Sequence, residues 1–446
     1  MGRLPSFPAL VAGLALGATP VPGADSFAAP AADAPLAAQV SWHPPGTIRI
    51  ATYNASLNRA SEGQLRRELA RPGNAQASRI AAVLRQVRPD ILLVNEFDHD
   101  AAGEGARGFA RHYLEHRASD GPLAGLAPLR FAHWYSAPVN TGVPSGLDLD
   151  HDGRAGVGAG DALGFGAFPG QYGMVVYSRF PLRAPAVRSF QHLRWAAMPE
   201  AALPPGWYDA AALAIQPLSS KSHWDLPVQL PGGRVLHILA SHPTPPVFDG
   251  PEDRNGRRNH DEIRFWADYL RPERSDWIVD DAGWRGGLES RAGFVILGDL
   301  NADPVDGGSY EGAVRQLLEH PRIDASFTPR SRGAVEAAAR QAGPNLSQAG
   351  EAASDTADFG ERGVGAGGNL RADYVLPSRD LAVCHGGVFW PTPADPEFAL
   401  VNDDTAASSD HRLVWIDVAI NGRCRAIDAA SRPGPQRNSR STPTGQ

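Results

Sequence analysis

Residues 47–54, Thr-Ile-Arg-Ile-Ala-Thr-Tyr-Asn, and residues 91–96, Ile-Leu-Leu-Val-Asn-Glu, enclose a segment of a different period. The first alternates polar and apolar side chains and reads as a strand delivering Asn54 at its end. The second is a continuous apolar run, which reads as a buried strand ending at Glu96. Over residues 74–88, Ile80, Val83, Leu84 and Val87 recur at the spacing of one helix face, and Pro89-Asp90 stops the helix. Strand, helix and strand in that order predict an α/β protein.

The pattern continues outward. Short apolar strands are expected at residues 172–177, 235–240, 294–297, 374–376 and 413–418. A helix is expected over 259–270, where Ile263, Trp266, Ala267 and Leu270 share a face. Residues 98–171 and 325–370 are rich in Gly, Ala and Pro and read as long loop insertions above the sheets. Residues 1–24 carry an early Arg3, an apolar run and small residues after it, so a signal peptide and a secreted protein, extracellular or periplasmic, are expected. Residues 25–45 read as an Ala/Pro linker, 46–424 as the folded domain and 425–446 as a flexible tail. The apolar run is too short for a bilayer and no other stretch reaches about 18 apolar residues, so no stable membrane insertion is expected. The domain is expected to be a monomer.

The chain has 446 residues, 42% hydrophobic and 20% charged, which excludes a disordered chain and a mini-protein. A formal net charge of −7 excludes a broadly basic nucleic-acid clamp. Every basic residue except Lys221 is Arg, which reads as compositional bias. Cys384 and Cys424 either close a 40-residue loop as a disulfide or remain two buried thiols; two cysteines alone cannot build a structural zinc site.

Several strands end in a carboxylate, amide or imidazole: Asn54, Glu96, His242, Asp299 with Asn301, Asp373, and Asp410 with His411. Strands leaving one sheet edge bring such side chains into a common crevice. Oxygen ligands without thiolates suit a hard dication. No Gly-x-Ser-x-Gly elbow occurs, which weighs against a serine esterase, and Lys221 lacks a Gly-rich phosphate loop.

Tyr53-Asn54, Asn95-Glu96-Phe97, Ser178-Arg179-Phe180-Pro181, Ser241-His242-Pro243, Gly298-Asp299-Leu300-Asn301-Ala302-Asp303, Asp373-Tyr374-Val375-Leu376 and Ser409-Asp410-His411 form an ordered series. It resembles the motif series of the endonuclease/exonuclease/phosphatase superfamily, the DNase I-like metal-dependent phosphoesterases, from about residue 47 to 419. The resemblance implies a four-layer α/β/β/α sandwich of two mixed sheets with helices outside. It implies a phosphoric ester hydrolase that attacks a phosphodiester or phosphomonoester in line with a metal-assisted water, on a small molecule or a nucleic acid. Glu96 would be the principal ligand of Mg²⁺ or Mn²⁺, with Asn54 and Asp410 beside it. Asp299 would align or deprotonate the water, Asn301 would hold a phosphoryl oxygen, His242 and His411 would stabilise its charge, and Asp373 would orient His411. Two other readings are a DNase I-like nuclease and a non-catalytic, calcium-stabilised extracellular binding module.

Asp148-Leu-Asp150-His-Asp152-Gly153 repeats the first half of a calcium loop. Ala159 stands where the final Glu belongs and Asp161 lies two residues on, so a structural Ca²⁺ and a solvated acidic turn are both open. Arg254, Arg257, Arg258 and His260 read as candidates to meet a phosphate beside His242, or as a solvated helix start.

Overall fold

The computed structural model describes residues 36–360, 367–401, 407–420 and 422–424. The leader, residues 25–35 of the linker and the C-terminal tail lie outside these. The strands are β1 (Thr47–Leu57), β2 (Ile91–Phe97), β3 (His133–Tyr135), β4 (Met174–Ser178), β5 (Arg188–Ser189), β6 (His223–Gln229) and β7 (Val235–Ser241). They continue with β8 (Gly293–Asp299), β9 (Ala357–Asp358), β10 (Asn369–Leu370), β11 (Asp373–Pro377), β12 (Val383–Val388) and β13 (Val414–Ala419). One mixed sheet has the order β12-β13-β1-β2-β4-β3 and a second the order β11-β8-β7-β6-β5; β9 and β10 form a small ribbon.

Period-two alternation sends successive side chains to different layers. From the first sheet Ile48, Ile50, Ile91, Leu93, Met174 and Val176 point inward, against Trp224, Leu226, Val228, Leu236 and Ile238 of the second. Their neighbours Tyr53, Leu92, Val94, Val175 and Tyr177 point outward, onto Ile80, Val83, Leu84 and Val87 of the helix Ala75–Val87. The outer face of the second sheet, with Leu239, Phe294, Ile296 and Tyr374, is covered by Ile263, Phe265 and Trp266 of the helix Arg254–Tyr269. Three apolar layers between four structural ones make the α/β/β/α sandwich. Each large side chain removed from water contributes about 1.5–3 kcal/mol.

Asn74 caps the helix Ala75–Val87 by accepting from the Ala77 amide at 2.9 Å, and Arg88 ends it at φ +54, before Pro89. The helix Arg254–Tyr269 begins five residues before the expected start at 259, because its first turns are polar. The insertions are partly regular. Residues 98–171 contain the helix Glu104–Phe109 and β3, which extends the first sheet along β4. Residues 325–370 contain the helix Arg332–Gln341, which buries Ala334 and Ala337 against the inner layer. The second half of the stretch read as linker is the helix Leu36–Ser41, with Leu36 and Val40 buried in the outer layer.

Arg49 on β1 ties these parts together. It pairs with Asp417 on β13 through Nε–Oδ1 and Nη2–Oδ2, each 2.8 Å, and donates to the carbonyls of Val40, Trp42 and Val87. Both residues of the pair are fully buried.

Cys384 on β12 and Cys424 beyond β13 form a disulfide, with Cα atoms 5.4 Å apart and a sequence separation of 40. Closing a loop of that length lowers the unfolded chain's entropy by the equivalent of about 4 kcal/mol. Urea unfolding with and without reductant is expected to show a loss of that order, matched by Cys384→Ser. A shift below about 1 kcal/mol would mean that the reduced unfolded chain is already restrained at this position. Among the described residues no helix is long and apolar enough to cross a membrane.

Candidate active site

Strand register gathers the polar ends. β1 and β2 run parallel with Asn54 opposite Asn95, so Glu96 follows at the same edge. β7 and β8 also run parallel, which brings Ser241-His242 and Asp299 to one end of the second sheet. β11 runs antiparallel to β8 with Asp373 directly opposite Asp299. Asp410 and His411 come from the turn into β13, beside β1.

Asp299 is the hub. Asn54 Nδ2 donates to its Oδ2 at 3.0 Å, His242 Nε2 lies 3.3 Å from the same oxygen, and His411 Nε2 lies 3.6 Å away. His411 Nδ1 meets Asp373 Oδ2 at 2.8 Å, and Thr356 Oγ1 donates to that oxygen at 2.8 Å. Asn301 donates its side-chain amide to the Pro243 carbonyl at 3.1 Å, and its backbone amide meets Asp299 Oδ1 at 2.9 Å. Asn58 Nδ2 donates to Glu96 Oε2 at 2.7 Å, and Ser56 Oγ to Asp410 Oδ1 at 2.9 Å.

Charge is distributed unevenly across this cluster. Burial alone would raise Asp299, but the His411 charge and the bonds from His242 and Asn54 outweigh it and hold the carboxylate ionised. Burial would discharge His411, but Asp373 and Asp299 on either side keep it well above the ordinary imidazole value. Burial lifts Asp373 to about 6, still ionised at neutral pH. Burial and the nearby Lys221 charge lower His242 to about 4, so it is neutral there. One imidazole is therefore charged and the other is not.

The backbone is strained at the same place. Ser56, Glu96, Tyr172, Phe248 and Asn301 all have φ between +47° and +67°. For non-glycine residues this region costs on the order of 1–3 kcal/mol each, and such strain gathers at functional sites. Gly298 is required for packing: a Cβ there would stand 2.1 Å from the Ser241 carbonyl, so only glycine lets β8 close on β7 ahead of Asp299.

All eight residues proposed from sequence thus lie in one cluster of side chains at the joined sheet edges. Sequence reasoning missed four others: Asn58 and Thr356, which hold Glu96 and Asp373, Asn95, whose Oδ1 accepts from the Asp299 amide at 3.3 Å, and Lys221. Lys221 is buried beside the cluster, where the charges of Glu262, Glu96 and Asp299 act on it. One signal was available: it is the chain's single lysine among arginines.

The basic segment behaves differently from its reading as a phosphate site. Arg258 donates to the carbonyls of Leu163, Pro217 and Leu218, Arg257 stacks on Tyr310 and Arg254 on Trp207, and His260 meets Asp261. These contacts fasten the helix start to the segment before β6, to Tyr310 and, through Leu163, to the insertion, and of the four residues Arg254 and Arg258 also line the cavity beside His242. In the acidic loop, Asp148, Asp150 and Asp152 bring one oxygen each within 4.8 Å of the others. Each also caps a following amide, of Gly153, Asp152 and Arg154 respectively. Asp161 lies outside this group: its oxygens accept from the amides of Leu149 at 2.6 Å and Val157 at 2.9 Å, which closes the loop.

Two groups of side chains could hold a catalytic cation. Asp299, Asp373 and His411 are close enough. His411, however, is held protonated between these carboxylates and hydrogen-bonded to Asp373, so it has no free lone pair for a cation. Glu96 and Asp410 fit a hard dication better. Both are only partly buried, among the described residues neither carboxylate is in an ion pair, and burial together with the Asp410 charge pushes Glu96 above its usual range. The Asn54 amide, hydrogen-bonded to Glu96 and Asp299, completes an all-oxygen donor set.

Two facing sheets whose joined edges gather four carboxylates and two imidazoles define a DNase I-like phosphoesterase fold. The chain belongs to the endonuclease/exonuclease/phosphatase family, whose profile matches residues 51–411. Among solved structures it is similar to an endonuclease/exonuclease/phosphatase from Beutenbergia cavernae DSM 12333, with 19% identity, 84% of this chain and 71% of that chain covered, and a TM-score of 0.45. It is also similar to the human Nocturnin catalytic domain with bound sulfate, with 14% identity, coverages of 86% and 98%, and a TM-score of 0.41. A third is the 3′ phosphatase NExo from Neisseria bound to product DNA hairpin, with 14% identity, coverages of 83% and 99%, and a TM-score of 0.40. No curated protein matches the chain.

Proposed function

We propose that this chain hydrolyses a phosphodiester or phosphomonoester with the help of Mg²⁺ or Mn²⁺ held by Glu96, Asp410 and the Asn54 amide oxygen. The observation that carries this reading is the Asp299 carboxylate, fixed by Asn54 and His242 and flanked by the charged His411. When bound, the dication supplies positive charge to phosphoryl oxygens. Asp299 takes the proton of the attacking water at a carboxylate oxygen, and its held-down pKa keeps it ready to do so. His411 donates from Nε2 to the phosphoryl group, and Asp373 fixes the ring by accepting from Nδ1. His242, a neutral ring, directs its Nε2 proton to Asp299 and so orients the base, and Asn301 presents its amide from the same edge. The disulfide supports an oxidising location, extracellular or periplasmic.

The test is hydrolysis of bis(p-nitrophenyl) phosphate and p-nitrophenyl phosphate after chelation and after return of Mg²⁺, Mn²⁺ or Ca²⁺. Turnover is expected only with a dication present. Because the cation relieves the repulsion between Glu96 and Asp410, Mn²⁺ is also expected to raise the Tm of the wild type by a few degrees and that of Glu96→Ala much less. No turnover of any phosphoester under any metal would overturn the proposal. Binding to plain duplex that collapses as salt rises, together with its cleavage, would move the reading to a nuclease.

A further inference from the structure

A cavity of about 430 Å³ opens beside His242 and Glu96. Its walls come from the insertion between β3 and β4, from the segment before β6, and from the loop after β7. That volume suits a drug-sized ligand and is too small to admit a nucleic-acid duplex.

Three features of the cavity serve no purpose in folding. Phe165 and Phe248, on separate loops at its edge, are 68% and 65% exposed. Phe248 also holds a left-handed backbone, φ +67°, which a bulky side chain avoids, and its exposed ring gains little burial in return. Lys221 is 6% exposed, and its one hydrogen bond among the described residues is to the Pro243 carbonyl at 3.4 Å. Glu262, the nearest source of countercharge, spends its oxygens on the amides of Ser220 and Thr244, at 2.6 Å each, and on the Ser220 hydroxyl. The Lys221 amine is therefore buried beside the reaction centre without a carboxylate bonded to it, and burial lowers its pKa from the ordinary value. Gln216 Oε1 and Thr244 Oγ1, on residues lining the same cavity, are buried without a protein partner.

We propose that this cavity binds the ester group of the substrate, and that the substrate is a small phosphoester bearing a flat aromatic group. The ring lies between Phe165 and Phe248, and an anionic phosphoryl oxygen is directed to Lys221 Nζ. The proposal rests on the hydrolase reading above and adds the substrate class. A nucleoside and a simple aryl group share this chemistry.

The experiment uses non-hydrolysable phosphonates as competitive inhibitors of bis(p-nitrophenyl) phosphate turnover with Mn²⁺, so that leaving-group reactivity plays no part. Phenylphosphonate is expected to bind about tenfold more tightly than methylphosphonate. Phe165→Ala and Phe248→Ala should each shrink that ratio, whereas Trp284→Ala, an exposed ring outside the cavity, should keep it. Lys221→Met should weaken both phosphonates alike. Phe248→Asn, which tolerates the left-handed backbone, should keep the wild-type Tm while losing the ratio, an outcome that a structural role for the ring would not give. A nucleoside phosphonate run beside phenylphosphonate separates the two sources of the ring. Equal affinity for the phenyl and methyl compounds, a ratio untouched by both Phe variants, or duplex DNA cut faster than any small ester would overturn the inference. If no phosphoester is turned over, the hydrolase reading fails instead. Calorimetry of the same phosphonates with Mn²⁺ then decides the cavity on its own.

Discussion

Asp299→Asn is expected to lower kcat for an aryl phosphodiester by roughly 10³-fold or more while the thermal melt moves by only a few degrees. A positioned proton acceptor contributes on the order of 10²–10⁴ in rate. Here the acceptor also sets the charge of its neighbours: without the Asp299 carboxylate, His411 loses one of the three anions that hold it protonated. The donor to phosphorus therefore weakens together with the base. Stability should change little, because Asn is isosteric and the substitution removes one negative charge from a cluster that already holds Glu96, Asp373 and Asp410. Steady-state kinetics beside a calorimetric melt checks both halves. Wild-type turnover by a folded Asp299→Asn protein would remove this residue from the chemistry.

The largest stability effect is expected far from the reaction. Asp417→Ala leaves the Arg49 guanidinium buried under β13 without its anion, and breaking such a pair costs about 3–5 kcal/mol. The pair also makes a prediction about acid. Burial raises Asp417, but hydrogen bonds from Arg49 and His385 outweigh that and hold its carboxyl below the ordinary value of 3.8. A depressed carboxyl contributes stability that is present above its unfolded value and lost as pH falls through its folded one. Urea midpoints from pH 7 down to pH 3 should therefore show a lower plateau for Asp417→Ala and a shallower acid decline than for the wild type. Parallel acid limbs would mean that Asp417 is not a source of the pH dependence.

What was legible in the sequence follows from how each element is buried. β1, β2, β4, β7 and β8 are central strands with apolar residues on both faces, so their runs stand out within at most three residues of their true ends. β6 was missed because Pro227 and the polar His223 and Asp225 interrupt it, although Trp224, Leu226 and Val228 alternate into the inner layer. β12 was missed because Gly386 and Gly387 carry no side chain to show a period; they are small because Trp415 packs against them. The polar cluster at the sheet edges could be read because each member sits at or near a strand end within a short motif. Lys221, Asn58 and Thr356 sit in connections where no periodicity marks a position, and only tertiary contact gives them a role. At the basic helix start, read either as phosphate contacts or as a solvated turn, sequence shows the charge of Arg258 but not the three carbonyls that absorb it.

A protein of 446 residues with a single lysine has a single side-chain amine. Among the side chains, aldehydes, activated esters and other amine-selective electrophiles have one target here, and it lines the cavity beside His242. Side-chain amine chemistry on this fold is therefore confined to one buried position.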